Sequence, residues 1–291
     1  MLPSSTLYAD FLMHLLSSTA DTKALEWIRT KQKQLSENFA LKSFYLAFAT
    51  AARIVGRKQL VVSDREKQQA DSLRKAFNPS HWTADQVARA ILLLAVPQTD
   101  AVSYKQLLNP LFETGDVAEL VALYKATPLL PFPEAFVSQV SEGIRTNIAP
   151  VFEAIALQNP YPADYLDQPA WNQMVLKAVF IDKPLQKIIG LRQRANANLA
   201  QMLSDFARER WAAGRPVKPD LWLPVSNFIN DALIADLQKL IASEELAQRL
   251  AAALVCRESA NPAAKNLLHQ HPELQQLLAQ GLDWNDLYAL R

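Results

Sequence analysis

Glycine is scarce in this 291-residue sequence, and its spacing excludes several classes of nucleotide and catalytic site. The six glycines lie at positions 56, 115, 143, 190, 214 and 281, so that no two are closer than 24 residues. The phosphate-binding loops G-x-G-x-x-G and G-x-x-x-x-G-K need two glycines within a few residues. The nucleophile elbow G-x-S-x-G has the same requirement. We therefore expect no nucleotide and no cofactor.

Cysteine and histidine are also rare, and their pattern argues against a metal site. Cys256 is the only cysteine, so an intrachain disulfide is excluded, and its apolar context predicts a small buried hydrophobe. The motifs E-x-x-H and H-E-x-x-H do not occur, and His269 and His271 are spaced to straddle a turn. Asp164 and Asp167 resemble the paired magnesium ligands of terpenoid enzymes, but their proline-flanked context favours helix caps. We expect no bound metal.

Neither sign of charge dominates, and long apolar runs are missing. The sequence contains thirty basic and twenty-nine acidic residues, and acidic residues interrupt the densest basic stretches. This distribution of charge argues against a nucleic-acid partner. The longest apolar run, at 90–97, is far shorter than the ~20 residues of a membrane span. The N-terminal stretch lacks the basic region of a signal peptide. We expect no transmembrane segment and a cytoplasmic location.

Helix patterns, by contrast, fill almost the whole sequence. Ser63 with Glu66 and Asp116 with Glu119 have capping-box spacing, and only "QLVVS" at 59–63 is typical of a strand. No fixed repeat period occurs. We predict an all-α fold without significant sheet, in which antiparallel helix pairs form an irregular stack, an α-α superhelix or array. A single domain spans 1–291, with a soft internal boundary near "TPLLPFP" at 127–133.

Two nearly apolar segments each carry a single charge. Glu153 is the one polar residue between Val151 and Leu157, and Lys177 lies in "WNQMVLKAVF", a helix predicted to be buried on most sides. An unpaired buried charge costs several kcal/mol, roughly, so such groups find partners, shift their pKa or line a wet cleft. The linker between the two segments is short, so we predict that Lys177 meets Glu153 or another acidic or carbonyl group. The alternatives are that Lys177 extends to solvent along its stem and that Glu153 lies at an edge.

Neutral polar residues around these charges could complete a pocket. They are Asn147, Asn159, Tyr161 and Asn172. A third helix adds a polar stripe at helical spacing, and it consists of Arg194, Asn198, Gln201, Asp205 and Arg208. The stripe is either a solvated face or a polar wall that faces a concave surface.

Three segments, in the same order, resemble the EboA family of bacterial proteins. They are "RTNIAPVFEAIALQNPYPADY", "WNQMVLKAVF" and "ARERWAAGR", and the resemblance covers roughly 119–222. The first hundred residues and the region beyond about 225 show no matching pattern. The residues that match the family motifs are Arg145, Asn147, Glu153, Asn159, Pro160, Tyr161, Trp171, Asn172, Lys177, Glu209, Arg210, Trp211 and Arg215.

The resemblance implies a pathway rather than a reaction. EboA-type proteins are encoded in clusters implicated in moving secondary-metabolite precursors towards the periplasm, beside genes for a UbiA-type prenyltransferase and other enzymes. The implied partners are a small aromatic or prenylated metabolite, other proteins of that pathway, or both. Motif and residue pattern together give these candidate ligand-binding residues: Arg145, Asn147, Glu153, Asn159, Tyr161, Asn172, Lys177, Arg194, Arg208, Glu209 and Arg215.

Three functions remain open from the sequence. The first, favoured by the missing cofactor motifs, is a non-catalytic binding or scaffold protein. The second is a cofactor-free enzyme that uses Glu153 or Lys177 for proton transfer, with burial tuning the pKa. The third is a ligand-free protein-interaction array, which predicts an exposed apolar groove. Convergence of titratable groups on a cavity would distinguish the second from the first.

Overall fold

A computed structural model describes residues 3–289 of the chain. The all-α prediction is confirmed: across 3–289 the regular structure is helical, and β pairing is limited to one isolated bridge between Gln59 and Thr83. The segment at 59–63 therefore forms no strand. None of the helices in this range is both long enough and apolar enough to cross a bilayer.

The chain divides into two compact units, the first ending at Trp171 and the second beginning at Asn172. This division falls inside helix α11 (Gln168–Phe180). The segment 127–133, where the sequence predicts a soft boundary, lies within the first unit. The prediction of one domain over 1–291 stays a prediction, and its first two and last two residues lie outside the described range.

The first unit is built from ten helices before α11. They are α1 (Pro3–Ser17), α2 (Thr22–Glu37), α3 (Leu41–Val55), α4 (Asp64–Leu73), α5 (Ala84–Ala95), α6 (Ala101–Thr114), α7 (Val117–Ala126), α8 (Val137–Ile144), α9 (Ala149–Ala156) and α10 (Tyr161–Tyr165). Helix α5 lies at the centre, where it packs against α1, α2, α3 and α7. It carries the longest apolar run of the sequence, which therefore forms a core helix.

The centre of α5 contains a buried ion pair. Arg89 donates to the carboxylate of Asp85, one turn earlier, at 2.7 Å, and its Nε donates to the carbonyl of Phe48 at 3.1 Å. Both side chains are buried. The pair satisfies its own charges and ties α5 to α3, so the core tolerates two ionised groups.

The second unit is built from six helices after α11. They are α12 (Ala197–Ala212), α13 (Asp231–Ile241), α14 (Leu246–Glu258), α15 (Pro262–His269), α16 (Pro272–Ala279) and α17 (Asp286–Ala289). Helix α14 is almost entirely buried and packs against α13, α15, α16 and α17. Cys256 lies on α14, and burial raises the pKa of its thiol to about 12, which agrees with its predicted role as a small hydrophobe.

Local capping signals in the sequence produce the predicted helix ends. The side chains of Ser63 and Asp116 cap α4 and α7. In return, the carboxylates of Glu66 and Glu119 accept hydrogen bonds from the backbone N–H groups of these two cap residues. His269 ends α15 and His271 precedes α16, so the two histidines straddle a turn as predicted.

Candidate functional site

Asn159 and Tyr161 organise the connection between α9 and α10. Asn159 is buried, its amide donates to the carbonyls of Tyr124 (3.0 Å) and Ala154 (2.9 Å), and its Oδ1 accepts from the N–H of Tyr161 (2.9 Å). The hydroxyl of Tyr161 donates to the carbonyl of Pro133 at 2.5 Å, and burial raises the pKa of this phenol above its usual range. These two candidate residues therefore attach the connection between α9 and α10 to the backbone of α7, of α9 and of Pro133.

A close approach at Gly143 lets helices α7, α8 and α9 meet. A Cβ at this position would lie 2.6 Å from the Tyr124 ring and 2.6 Å from Cδ1 of Ile155. The hydroxyl of Tyr124 donates to the carbonyl of Gln139 at 3.2 Å, and burial raises the pKa of Tyr124 to about 12. Glycine is thus required here for packing rather than for an unusual backbone angle.

The remaining candidates of the first unit are more accessible. Arg145 and Asn147 are exposed, and Arg145 forms a solvated ion pair with Glu142 at 2.9 Å. Glu153 is half-buried on α9, between the buried residues Phe152 and Ala154. Asp164, on α10, pairs with Arg74, and Asp167 accepts from the N–H of Ala170 near the start of α11.

Helix α11 is less buried than the sequence predicts. Trp171, Met174, Val175 and Ala178 are buried, but Phe180 exposes 75% of its surface. Lys177 is half-buried, and desolvation lowers the pKa of its ammonium. Since Glu153 belongs to the first unit and Lys177 to the second, their predicted contact stays a prediction.

Asn172 is a buried partner of the α12 cap. Its amide and that of Asn196 donate to each other's oxygens, at 3.1 and 2.9 Å. Asn196 in turn accepts from the N–H of Leu199 and donates to the carbonyl of Arg194. Asn172 and the backbone of Arg194 therefore fix the start of the third candidate helix.

The polar stripe of α12 contains one strong link to α13. Arg208 donates to both carboxylate oxygens of Asp236, at 2.8 and 3.1 Å, and to the carbonyl of Ala232 at 2.7 Å. Ser204 donates to the same carboxylate at 2.6 Å. Further along the stripe Gln201 donates to Asp205, which is exposed. The stripe thus combines a solvated face with an ionic attachment.

A cavity of about 490 Å³, here called the Phe180 cavity, opens beside α11 and α12. Its apolar wall includes Phe180, Phe206 and Leu221, and Arg210 of the "ARERWAAGR" motif also lines it. The full set is Val179, Phe180, Asp182, Lys183, Leu185, Phe206, Arg210, Pro216, Val217, Lys218, Pro219, Asp220, Leu221 and Glu245. Lys218 pairs with Asp182 at this wall.

A second cavity of about 560 Å³, here called the Trp211 cavity, includes three further residues of the same motif, Trp211, Gly214 and Arg215. The Trp211 ring stacks on the buried Trp222 with centroids 5.9 Å apart, and the Lys239 ammonium lies 4.4 Å from the Trp211 centroid. Its lining residues are Trp211, Gly214, Arg215, Pro216, Val217, Lys239, Leu240, Ala242, Ser243, Glu245 and Gln248. Glu209, the remaining candidate, is exposed.

Sequence reasoning missed much of these two walls. Phe180 lies in a helix that the sequence predicts to be buried on most sides, and Lys239 and Gln248 lie beyond the segments that resemble the family. The available signal is the motif "ARERWAAGR", because Arg210, Trp211 and Arg215 all line one cavity or the other.

The described residues offer no obvious metal centre. Across 3–289, no group of three or more His, Cys, Asp or Glu side chains is arranged to hold a metal ion. Charged, amide and aromatic side chains line the two cavities.

Comparison with known proteins identifies a family. No curated protein matches the chain, and no solved structure matches it. The family model described as "Metabolite traffic protein EboA" matches residues 8–226. The match reaches into the first hundred residues, where the sequence alone shows no recognisable pattern, and it includes every candidate residue. The chain therefore belongs to the EboA family.

Proposed function

We propose that this protein is a non-catalytic carrier that binds a small, largely apolar metabolite in the Phe180 cavity. The family description, metabolite traffic, supports a role in handling metabolites. A small aromatic or prenylated precursor of a secondary metabolite is the ligand class that the family resemblance implies.

The observation that carries the proposal is the composition of the Phe180 cavity. Its volume of about 490 Å³ falls within the range of ~300–1,000 Å³ typical of small-molecule sites. Phe180 and Phe206 line it, and the exposed surface of Phe180 is apolar area that a bound molecule would remove from water. Six charged side chains also line the cavity and supply the polar contacts that orient a ligand.

The two residues named in the catalytic alternative lie outside both cavities. Proton transfer by Glu153 or Lys177 requires these groups to reach a bound substrate. Neither residue lines the Phe180 cavity or the Trp211 cavity. The motif residues that do line them, Arg210, Trp211 and Arg215, are suited to holding a ligand, since arginine stays protonated throughout the physiological pH range.

The proposal is tested with N-phenyl-1-naphthylamine, a neutral aromatic dye whose fluorescence rises in apolar surroundings. We expect the full chain to bind the dye, and Phe180→Asp to weaken binding by about tenfold or more. Because Phe180 is 75% exposed, this substitution leaves the fold intact. Val61→Asp is the matched control, since Val61 is 80% exposed in the first unit and lines neither cavity.

The natural ligand is sought by native mass spectrometry of the purified full chain. A small molecule retained by the wild type and by Val61→Asp, lost from Phe180→Asp and displaced by the dye would support the proposal. Failure of the dye to bind, or equal binding by Phe180→Asp and the wild type, would overturn it.

A further inference from the structure

The Phe180 and Trp211 cavities meet at a common edge. Both are lined by Pro216, Val217 and Glu245, which lie between the apolar wall around Phe180 and the indole of Trp211. The two cavities are therefore neighbours, and one elongated molecule with a part in each would contact these shared residues.

The shared edge is held in place by side chains from both sides. Arg210 donates through Nε and Nη2 to the carbonyl of Pro216, at 3.0 and 2.9 Å, and Gln248 donates to the carbonyl of Val217 at 2.6 Å. Gly214, with φ of +64°, makes the turn that begins this segment. The edge is thus a fixed feature and not a loose loop.

The two cavities differ in charge. Three basic side chains (Lys183, Arg210, Lys218) and three acidic ones (Asp182, Asp220, Glu245) line the Phe180 cavity. The Trp211 cavity is lined by two basic side chains, Arg215 and Lys239, and by one carboxylate, that of Glu245. Both cations are exposed, and within 3–289 neither forms an ion pair. Positive charge is therefore available to a ligand on the Trp211 side.

A buried acceptor adds a second polar feature to the Trp211 cavity. Gln248 is only 7% exposed, and while its Nε2 donates to Val217, its Oε1 has no hydrogen-bond partner. A buried acceptor without a partner is unfavourable because it has lost its hydrogen bonds to water. A ligand hydroxyl or N–H group at this wall would restore such a hydrogen bond.

We propose that the ligand has two parts: an apolar body in the Phe180 cavity and a terminal anionic group, a carboxylate or a phosphate, held in the Trp211 cavity by Arg215 and Lys239. A hydroxyl or N–H next to the anion donates to Oε1 of Gln248. This inference rests on the proposed function and specifies the chemical class of the carried molecule.

The test compares two dyes that share one apolar body. 8-Anilinonaphthalene-1-sulfonate carries an anionic group, and N-phenyl-1-naphthylamine lacks it. We expect the full chain to bind the anionic dye more tightly, and the double variant Arg215→Gln, Lys239→Gln to weaken the anionic dye by about tenfold and leave the neutral dye unchanged. Lys187→Gln, an exposed residue outside both cavities, is the matched control and binds both dyes as the wild type does.

Competition identifies the anion. 1-Naphthoate and 1-naphthyl phosphate should each displace the anionic dye better than neutral 1-naphthol does, and the stronger competitor names the group. If both dyes bind equally well, or if the double variant binds the anionic dye like the wild type, this inference is wrong while the carrier proposal stands. If neither dye binds, the carrier proposal itself fails.

Discussion

The guanidinium of Arg208 makes two hydrogen bonds to the carboxylate of Asp236, one on each oxygen, and thereby joins α12 to α13. Asp236 is buried, whereas the Arg208 side chain keeps 39% of its surface exposed. The hydrogen bond to Asp236 raises the pKa of Arg208 further above its usual range. Arg208, which the sequence places on a polar stripe, thus attaches α12 to α13.

Removal of this carboxylate should destabilise the protein. Asp236→Ala leaves Arg208 and Ser204 without their acceptor, and because Arg208 can regain water we expect a loss of about 2 kcal/mol in the free energy of unfolding. Glu142→Ala is the control, since its ion pair with Arg145 is solvated and contributes about 0–1 kcal/mol. Urea unfolding of both variants measures the difference, and equal stabilities would contradict the assignment.

Gly143→Ala should destabilise the junction of α7, α8 and α9. The added methyl overlaps Tyr124 and Ile155, and overpacking of this kind costs about 1–3 kcal/mol. Thermal unfolding measures the loss. Gly143→Ala combined with Ile155→Val removes the Cδ1 atom in the way, so this double variant should recover part of the stability; no recovery would mean that the overlap with Tyr124 sets the cost.

The helix class and many helix ends could be predicted because their causes are local. Ser63 and Glu66 lie three residues apart, and nothing distant is needed for them to close a capping box. The candidate site depends on tertiary contacts instead. Asn159 is recognisable as an unusual polar residue, but its binding to the carbonyl of Tyr124, 35 residues away, has no signature in the sequence.

The cavity walls escaped prediction for a related reason. An apolar residue such as Phe206 has the same helical periodicity whether it faces a packed core or a cavity. Phe180 ends an apolar helix, and the periodicity does not reveal that the chain turns away and leaves its ring exposed. Among the sequence signals, the family motif around Trp211 is the one whose residues line the two cavities.

Asn159→Asp should be far more damaging than Asn147→Asp, although both asparagines match the family motif. In Asn159 the amide donates to two carbonyls, and a carboxylate oxygen would instead face these acceptors in a buried site. We expect a loss of about 3 kcal/mol or more for Asn159→Asp. Asn147 is exposed, so its variant should unfold like the wild type in the same denaturant titration. A stable Asn159→Asp would show that these hydrogen bonds are dispensable.

Lys125 predicts an unusual pH dependence of stability. Its ammonium donates to the carbonyl of His81 and to Oε1 of Gln86, which are both neutral, and burial lowers its pKa to about 8 despite the nearby Asp85. In the unfolded chain the pKa is about 10.4. Below pH 8 both states hold the proton. Between about pH 8 and pH 10 the unfolded state holds more protons on this residue, so Lys125 contributes a rise of about 2 kcal/mol in the free energy of unfolding, while the buried Cys256 thiol, with its raised pKa, contributes a fall.

Substitution isolates the contribution of this lysine. Lys125→Met should lose the rise between pH 8 and pH 10, whereas Lys75→Met, at an exposed position, should keep it. Measurements stop near pH 10 because burial raises the pKa of the tyrosines Tyr104 and Tyr161, and their ionisation opposes folding at higher pH. The Cys256 contribution is the same in both variants, so stability profiles that stay parallel for Lys125→Met and Lys75→Met across this window would contradict the prediction.

The sequence prediction for Lys177 is tested by a double-mutant cycle. If Lys177 and Glu153 form a pair, Lys177→Met and Glu153→Gln should each destabilise the protein, and the double variant should lose less than the sum, with a coupling of about 1 kcal/mol because both side chains are only half-buried. Lys187→Met, on an exposed residue, combined with Glu153→Gln is the control and should be additive. Additive losses for Lys177 and Glu153 would instead favour the interpretation in which the lysine stem lies on apolar surface and the ammonium stays in water.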